Sequence, residues 1–199
     1  MGDSLIITAI TADPREPDLR YIKVGRQVVA RVRRSDVEGL ALEVGGQLDP
    51  DTLAELACCQ RRTMLRLRAI RSISRAAASR QRLVDRLTPH ASNMDELESV
   101  LDELAAEGLL DDHATATQIA EEILRSGPLG ARALSAKLSR RGFESCVVEQ
   151  IIEDLSAGRD EYADAREAAA IAMRSLRHLP PNTATRRLAA RLARRGFSE

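Results

Sequence analysis

The chain has 199 residues with 30 basic and 30 acidic side chains, so its formal net charge is zero. Its length allows one sizeable domain or two small ones with a buried core, and its neutral balance argues against a dedicated nucleic-acid binder. Aromatic residues make up only 2% of the sequence, so aliphatic side chains must build the core. A composition rich in Ala, Leu, Arg and Glu favours helices.

The cysteines and the hydropathy pattern predict a cytoplasmic protein. There are three cysteines, and two of them, Cys58 and Cys59, are adjacent. This pattern does not suit a disulfide framework and fits a reducing compartment. The first residues lack the basic start of a signal peptide, and no apolar run approaches the roughly 20 residues that span a bilayer. We therefore expect no contact with a membrane.

Residues 1–48 are predicted to form a small antiparallel β domain. Three segments are apolar and β-branched or alternate with the period of two that is typical of strands, namely 5–11, 19–24 and 27–33. In the last segment Val28 and Val32 are expected on the apolar face. Such a small sheet is marginal alone, so its apolar face needs cover.

From Asp49 onward the apolar period becomes helical, which predicts a mainly α protein. Asp49 can cap the first helix, and Pro50 suits its first turn. Apolar residues then recur at the three- and four-residue spacing of amphipathic helices. The predicted helices are 50–71, 75–87, 95–106, 115–125, 130–141, 144–155, 160–176 and 183–195. Asp112 is expected to cap the fourth of them.

An internal repeat is the most informative feature of the sequence. Residues 134–143 and 188–197 are near-copies that both end in Arg-Arg-Gly-Phe, and Phe143 and Phe197 lie 54 residues apart. Leu83 and Leu87 mark a fainter upstream copy. Repeats of this length indicate stacked supersecondary units. We predict tandem three-helix repeats in an elongated array, with bounds 49–111, 112–158 and an incomplete 159–199.

Charge is segregated along the chain. Residues 61–86 hold nine arginines and one acid, whereas residues 95–112 hold eight acids and no base. Five arginines follow between Arg186 and Arg195. Such blocks suit polar contact within a chain or between chains. We predict that the acidic segment partly neutralises the neighbouring arginines and leaves the C-terminal cluster free.

These motifs together resemble the RecX family of recombinase regulators. The resemblance rests on the order of four segments, namely 107–112, 126–130, 134–143 and 187–198. It implies three tandem three-helix repeats and a protein that binds the RecA–DNA filament, lies in its groove and limits recombinase activity in DNA repair, recombination and the SOS response. Some members also bind DNA weakly.

This chain departs from the family pattern in three places. His113 and Ala114 stand where members usually have an aromatic residue. The first repeat ends in Thr88–Ala91 rather than in a basic-Gly-aromatic motif. The sequence also stops at Glu199, where a last helix would begin, so the third repeat is expected to lack its closing helix.

No catalytic, cofactor-binding or metal-binding residues are predicted. The sequence has no phosphate loop and no dinucleotide-binding glycine motif, and His90, His113 and His178 have no partner at metal-ligand spacing. We therefore expect a non-enzyme with no small-molecule substrate, whose partner is the RecA filament and, weakly, DNA. The alternatives are a stand-alone nucleic-acid-binding protein that uses its arginine clusters, or an inactive helical scaffold.

The predicted partner-binding residues are all arginines, because a planar guanidinium suits carboxylates and phosphates. They are Arg82, Arg86, Arg132, Arg140, Arg141, Arg187, Arg191, Arg194 and Arg195. In the repeated Arg-Arg-Gly-Phe motif, the glycine is expected to end a helix and the phenylalanine to anchor it. That leaves the two adjacent arginines as candidates for the partner.

Overall fold

A computed structural model describes residues 5–197. Outside the described residues lie 1–4, Ser198 and Glu199. Ser198 is the last residue of the predicted closing motif. The chain is mainly helical with small N-terminal antiparallel sheets, as predicted. The strands are β1 (Leu5–Ile6), β2 (Ala9–Ala12), β3 (Leu19–Val24), β4 (Gln27–Arg33) and β5 (Gln47–Leu48). The helices are α1 (Arg34–Gly39), α2 (Pro50–Arg75), α3 (Arg80–Leu87), α4 (Met94–Ala106), α5 (Asp112–Arg125), α6 (Ala131–Ser139), α7 (Ser145–Ser156), α8 (Glu161–Arg174) and α9 (Pro181–Arg194).

The β region contains the predicted meander, but its first predicted strand is divided. β2, β3 and β4 pair antiparallel in that order, whereas β1 pairs with β5. The change of partner falls at Ile7 and Thr8: the Ile7 N–H donates to the Gly46 carbonyl (2.9 Å) and the Thr8 N–H to the Lys23 carbonyl (2.8 Å). An apolar run such as 5–11 cannot reveal this change, because both pairings bury the same kind of side chain.

The prediction for Val28 is wrong because β4 contains a bulge. Ile22 pairs with Ala30 but Lys23 pairs with Val28, so Val29 is the extra residue. A bulge shifts the alternation of faces by one residue. Val32 is fully buried, whereas Val28 is 51% exposed.

The last part of the predicted β domain, residues 34–48, is not all β structure: only β5 at its end pairs with another strand. These residues contain α1, and the Asp36 carboxylate accepts a hydrogen bond from the Arg33 backbone N–H (2.9 Å) at the start of that helix. This side-chain cap offers the backbone an alternative to strand pairing. Val37 and Leu40 then pack against the core of the β region.

The apolar face of the β region is covered by the first half of α2. Leu56, which is 2% exposed, packs with Ile7, Ile22 and Leu48 in one cluster. As predicted, Asp49 caps α2: its carboxylate accepts from the Thr52 N–H (2.7 Å), and this bond lowers its pKa. The sheet therefore obtains the cover that its small size requires.

One compact unit consists of residues 5–71 and 87–104 within the described range. In it Glu103 on α4 accepts from Arg33 (2.8 Å) and from Arg62 (2.5 Å). The pair with Arg62 confirms that the acidic segment neutralises part of the arginine block. Because this carboxylate is only partly exposed, solvent screens the pairs less than it screens surface ion pairs.

The second compact unit consists of residues 72–86 and 105–197 within the described range. α5, α6 and α7 pack around one apolar cluster, in which Leu134, Leu138 and Ile151 are almost completely buried. α8 and α9 pack against each other. The repeat bounds at 111 and 158 stay predictions.

The cap of α5 is Asp111 rather than the predicted Asp112. The Asp111 carboxylate accepts from the Ala114 N–H (2.9 Å). Asp112 instead accepts from the Arg80 backbone N–H (2.8 Å) and so joins the start of α5 to the start of α3. Burial raises the pKa of Asp112, and the nearby Glu144 adds to this effect. The sequence alone cannot show which of two adjacent aspartates caps the helix. The position of α3 decides it, because the Arg80 N–H is within reach of Asp112.

Asp13, which follows β2, is a buried carboxylate with three partners. It accepts from the Arg15 N–H (2.8 Å), the Tyr21 hydroxyl (2.8 Å) and the Arg31 guanidinium (2.5 Å). These hydrogen bonds favour the charged form. They lower the pKa of Asp13 from 3.8 to about 2, with the Arg15 bond as the largest cause.

Asp13 is therefore expected to make stability depend on pH. Its folded pKa of about 2 lies below the ordinary 3.8, so the carboxylate stabilises the fold above that ordinary value, and this contribution disappears as the pH falls towards 2. Urea unfolding should show Asp13→Asn less stable than the native chain at neutral pH, with the difference shrinking below pH 4. Asp51→Asn, at an exposed carboxylate, is the control. A difference that stays constant with pH would refute this assignment.

Candidate partner-binding surface

The first Arg-Arg-Gly-Phe motif ends α6 and docks on the start of α3. The Ser79 hydroxyl donates to the Arg141 carbonyl (2.7 Å). Gly142 has φ +82°, and a Cβ there would lie 2.9 Å from the Ser79 Oγ and 3.3 Å from the Gln81 Cβ. A glycine is required both by the left-handed backbone and by this close approach.

The second copy of the motif ends α9 and docks on the start of α6 in the same way. The Gly130 N–H donates to the Arg195 carbonyl (2.9 Å). Gly196 has φ +83°, and a Cβ there would overlap the Ala133 backbone and lie 2.7 Å from the Ala133 Cβ. Ser79 and Gly130 each stand four residues before the aligned Leu83 and Leu134. Each motif therefore joins its repeat to the second helix of the preceding repeat.

This joint determines how the paired arginines are presented. Arg140 and Arg194, the first of each pair, are exposed, whereas Arg141 and Arg195 are half-buried. The Arg195 guanidinium donates to the Pro128 carbonyl (3.0 Å) and reinforces the joint. Arg140 donates to the Ala136 carbonyl of its own helix (3.0 Å). The arginines of a pair thus have different surroundings although their sequence is the same.

On α9, Arg187, Arg191 and Arg194 lie on one face because they are spaced by four and three residues. Arg191 is engaged within the second unit, since its guanidinium donates to the Ser175 hydroxyl (2.5 Å). Within residues 5–197, the side chains of Arg187 and Arg194 make no hydrogen bond or ion pair, and both are exposed. The C-terminal arginine cluster is therefore free only in part.

The remaining predicted arginines also fall into engaged and unengaged sets. Arg82 donates to the Arg140 carbonyl (3.3 Å), and Arg86 donates to the Ser72 hydroxyl. The Arg132 side chain on α6 is exposed and, in the part of the chain that the structure describes, has no polar partner. Arg132, Arg187 and Arg194 are thus the exposed and unpartnered members of the predicted set, all in the second unit.

A further arginine face on α2 is absent from the predicted set. Arg61, Arg68 and Arg71 are exposed, and their side chains have no polar partner among the described residues. The spacings of seven and three residues place them on one helix face that extends about 15 Å. The seven-residue spacing of Arg61 and Arg68 could have indicated this face from the sequence. It was missed because residues 61–86 contain nine arginines, so the spacing of any two of them is not distinctive.

Within the described residues, no group of His, Cys, Asp and Glu side chains is arranged to hold a metal ion. His113 and Asp154 approach to 3.8 Å, but both side chains are largely exposed. No helix of the described chain is long and apolar enough to cross a bilayer.

The two adjacent cysteines have different surroundings. Cys58 is exposed, whereas Cys59 packs against the core of the β region, where burial raises the pKa of its thiol.

These features define a mainly helical repeat protein with a small β region and surface-exposed arginines. No family model matches the chain. Regulatory protein RecX of Thermobifida fusca is 33% identical over 135 residues, covering 67% of this chain and 72% of that protein. The Mycobacterium avium RecX is 30% identical over 139 residues, covering 70% and 80%. The chain belongs to the RecX family of regulatory proteins.

Other similarities agree with this assignment. Regulatory protein RecX of Chromobacterium violaceum is 37% identical over 103 residues, but the match spans only 64% of that protein. A crystal structure of regulatory protein RecX has a TM-score of 0.79 and 20% identity, covering 98% of this chain and 95% of that one. The RecX structure from Lactobacillus salivarius has a TM-score of 0.61 and 15% identity, covering 69% and 89%. At these identities the structures show the fold alone.

Proposed function

We propose that this protein regulates the RecA recombinase by binding the RecA–DNA filament and inhibiting its activity, in the cytoplasm and without catalysis of its own. The observation that carries the proposal is membership of the RecX family, with 33% identity to the Thermobifida fusca protein over 135 residues. The relatives are named regulatory proteins, which agrees with a role in binding. The biological setting would be DNA repair, recombination and the SOS response.

The unpartnered arginines of the second unit suit such a partner. Arg132, Arg187 and Arg194 are exposed and make no polar contact among residues 5–197, so binding to them breaks no ion pair of the folded chain. Guanidinium groups form bidentate bonds with carboxylates and phosphates. A protein–DNA filament presents both carboxylates and phosphates. The three exposed arginines are therefore electrostatically complementary to it.

Direct binding to nucleic acid is the second candidate, and the arginine face on α2 favours it. Arg61, Arg68 and Arg71 extend about 15 Å along one helix, a length that covers several phosphates of a DNA strand. No aromatic residue lies within α2, so base stacking would contribute nothing there. This candidate predicts binding governed by charge, and therefore strongly dependent on salt.

The test is the hydrolysis of ATP by the cognate RecA on single-stranded DNA, measured with increasing amounts of the full chain. We expect inhibition at well below one molecule per recombinase subunit, because a protein bound along or at the end of a filament affects many subunits. No inhibition by the folded protein would contradict the proposal. Binding to bare DNA that weakens steeply with salt, without inhibition, would favour the second candidate.

A further inference from the structure

A pocket of about 330 Å³ lies beside the loop that joins β2 to β3. Three arginines line it, and each comes from a different part of the fold: Arg15 from that loop, Arg31 from β4 and Arg71 from near the end of α2. All the lining residues lie between positions 13 and 71, within one compact unit. Its volume is at the lower end of the range of small-molecule sites.

Arg31 is a cation held in a fixed position in this pocket. Its guanidinium donates to the buried Asp13 carboxylate (2.5 Å) and lies over the Tyr21 ring, 5.7 Å from the ring centroid. The Tyr21 hydroxyl donates to the same carboxylate (2.8 Å). The Arg31 side chain nevertheless stays 22% exposed. Because Asp13 and Tyr21 already order this side chain, a ligand that binds it restricts little further freedom.

The other two arginines of the pocket are available to a ligand. Arg15 and Arg71 are exposed, and their side chains make no hydrogen bond or ion pair among the described residues. The lining also contains two carboxylates, Asp13 and the exposed Glu16. Three arginines against two carboxylates leave a net positive charge, and Asp13 is already neutralised by its donors. The pocket therefore favours an anion.

Three cations from three segments suit a phosphate dianion better than a carboxylate. A phosphate monoester has three peripheral oxygens and nearly two negative charges at neutral pH, whereas a carboxylate has two oxygens and one charge. Guanidinium groups bind phosphate with paired hydrogen bonds. We propose that this pocket binds a phosphate dianion, either free or as the monoester of a small molecule.

Nucleic acid is the competing occupant, because Arg71 also belongs to the arginine face on α2. Each phosphate within a strand carries a single charge, so it uses the three cations less fully than a dianion does. A concave pocket also suits a small ligand better than a continuous backbone. This inference goes beyond the proposed function, since it requires neither the recombinase nor DNA.

The probes are inorganic phosphate and ribose 5-phosphate, each titrated into the full chain by isothermal titration calorimetry at constant ionic strength. We expect saturable binding of one molecule per chain. Dimethyl phosphate, which has one charge and two free oxygens, should bind about tenfold more weakly or worse. Tighter binding of ribose 5-phosphate would assign the pocket to an organic ester, and tighter binding of inorganic phosphate would assign it to the free anion. Both results support the proposal.

Arg15→Ala and Arg71→Ala should each weaken phosphate binding by about tenfold, because each removes a charge-assisted contact. Arg15→Ala keeps the backbone N–H that donates to Asp13, so the fold is expected to survive it. Arg68→Ala is the matched control, since it removes the same charge from an exposed position on α2 outside the pocket. It should leave phosphate binding within about twofold of the native chain.

Three results would overturn the proposal: no saturable binding of either phosphate probe, equal binding of dimethyl phosphate, or an equal loss in Arg68→Ala, which would indicate attraction by net charge alone. An unphosphorylated oligonucleotide that displaces phosphate at a lower concentration than ribose 5-phosphate does would also overturn it, by making nucleic acid the occupant. Recombinase is absent from this experiment, so its outcome is independent of the ATP hydrolysis assay.

Discussion

Replacing Gly196 with alanine is expected to destabilise the folded chain by about 3 kcal/mol. A left-handed backbone costs a residue with a Cβ about 1–2 kcal/mol, and forcing an atom into a packed contact costs about 1–3 kcal/mol more. Gly196 has φ +83°, and its Cβ would lie 2.7 Å from the Ala133 Cβ. The substitution should therefore strain the joint that holds α9 on α6. Urea unfolding followed by circular dichroism measures the loss.

Two further glycine variants separate strain from contact. Gly108 also has positive φ, +72°, but a Cβ there would meet nothing within 4 Å, so Gly108→Ala should cost only about 1 kcal/mol. Gly130 has an ordinary φ of −74°, but its Cβ would overlap the Gly196 carbonyl and lie 2.9 Å from the Phe197 N. Gly130→Ala should therefore destabilise through contact alone. If Gly196→Ala costs no more than Gly108→Ala, the joint is not tightly packed.

A triple variant, Arg132→Ala with Arg187→Ala and Arg194→Ala, is expected to weaken inhibition of RecA about hundredfold. Hydrogen bonds to charged groups contribute about 1.5–3 kcal/mol when they are buried, and we take about 1 kcal/mol for each exposed cation, which makes a total loss of about 3 kcal/mol. The midpoint of inhibition in the ATP hydrolysis assay reports the loss. Thermal stability should be unchanged, because these side chains have no polar partner among residues 5–197.

The matched control removes the same number of charges elsewhere. The control variant lacks the three exposed arginines of α2 in the other compact unit, through Arg61→Ala, Arg68→Ala and Arg71→Ala. This variant should keep its inhibition of the recombinase and lose any salt-dependent binding to bare DNA. If the two triple variants lose inhibition equally, net charge rather than a defined surface governs binding. If neither loses it, the predicted arginines are not the site.

The β structure was predicted where it depends on residues close together in the chain, and it was missed where it depends on contacts with distant segments. The alternation in residues 19–33 predicts the hairpin of β3 and β4, because neighbouring strands joined by a tight turn depend on local residues. The pairing of β1 with β5 joins segments that are far apart in the chain, and the bulge at Val29, although it lies within the β3–β4 pair, interrupts the alternation of β4. The Arg31 N–H on β4 donates to the Gln60 side chain of α2 (2.9 Å), a contact that no periodicity in β4 can reveal.

For the predicted partner-binding arginines, the sequence shows where the side chains occur along the chain but not which groups surround them. Arginine clusters are visible in the sequence, and their partners are not. The sequence does not distinguish Arg191 and Arg195 from Arg187 and Arg194, yet the Arg195 guanidinium donates to the Pro128 carbonyl, 67 residues away. Whether a cation is free for a partner depends on which carbonyls the fold brings within its reach. That question is decided by contacts between elements.

By itself, the sequence determined the helical class, the repeat and the similarity to the RecX family, because helix periodicity and the spacing of Arg-Arg-Gly-Phe are local properties of the chain. It also indicated that a glycine must end each motif. Only the tertiary structure showed that Gly142 and Gly196 lie against the second helix of the preceding repeat, and which arginines remain exposed. Packing between segments that are distant in the chain decides both the glycine contacts and the exposure of the arginines. The spacing of residues along the sequence does not reveal that packing.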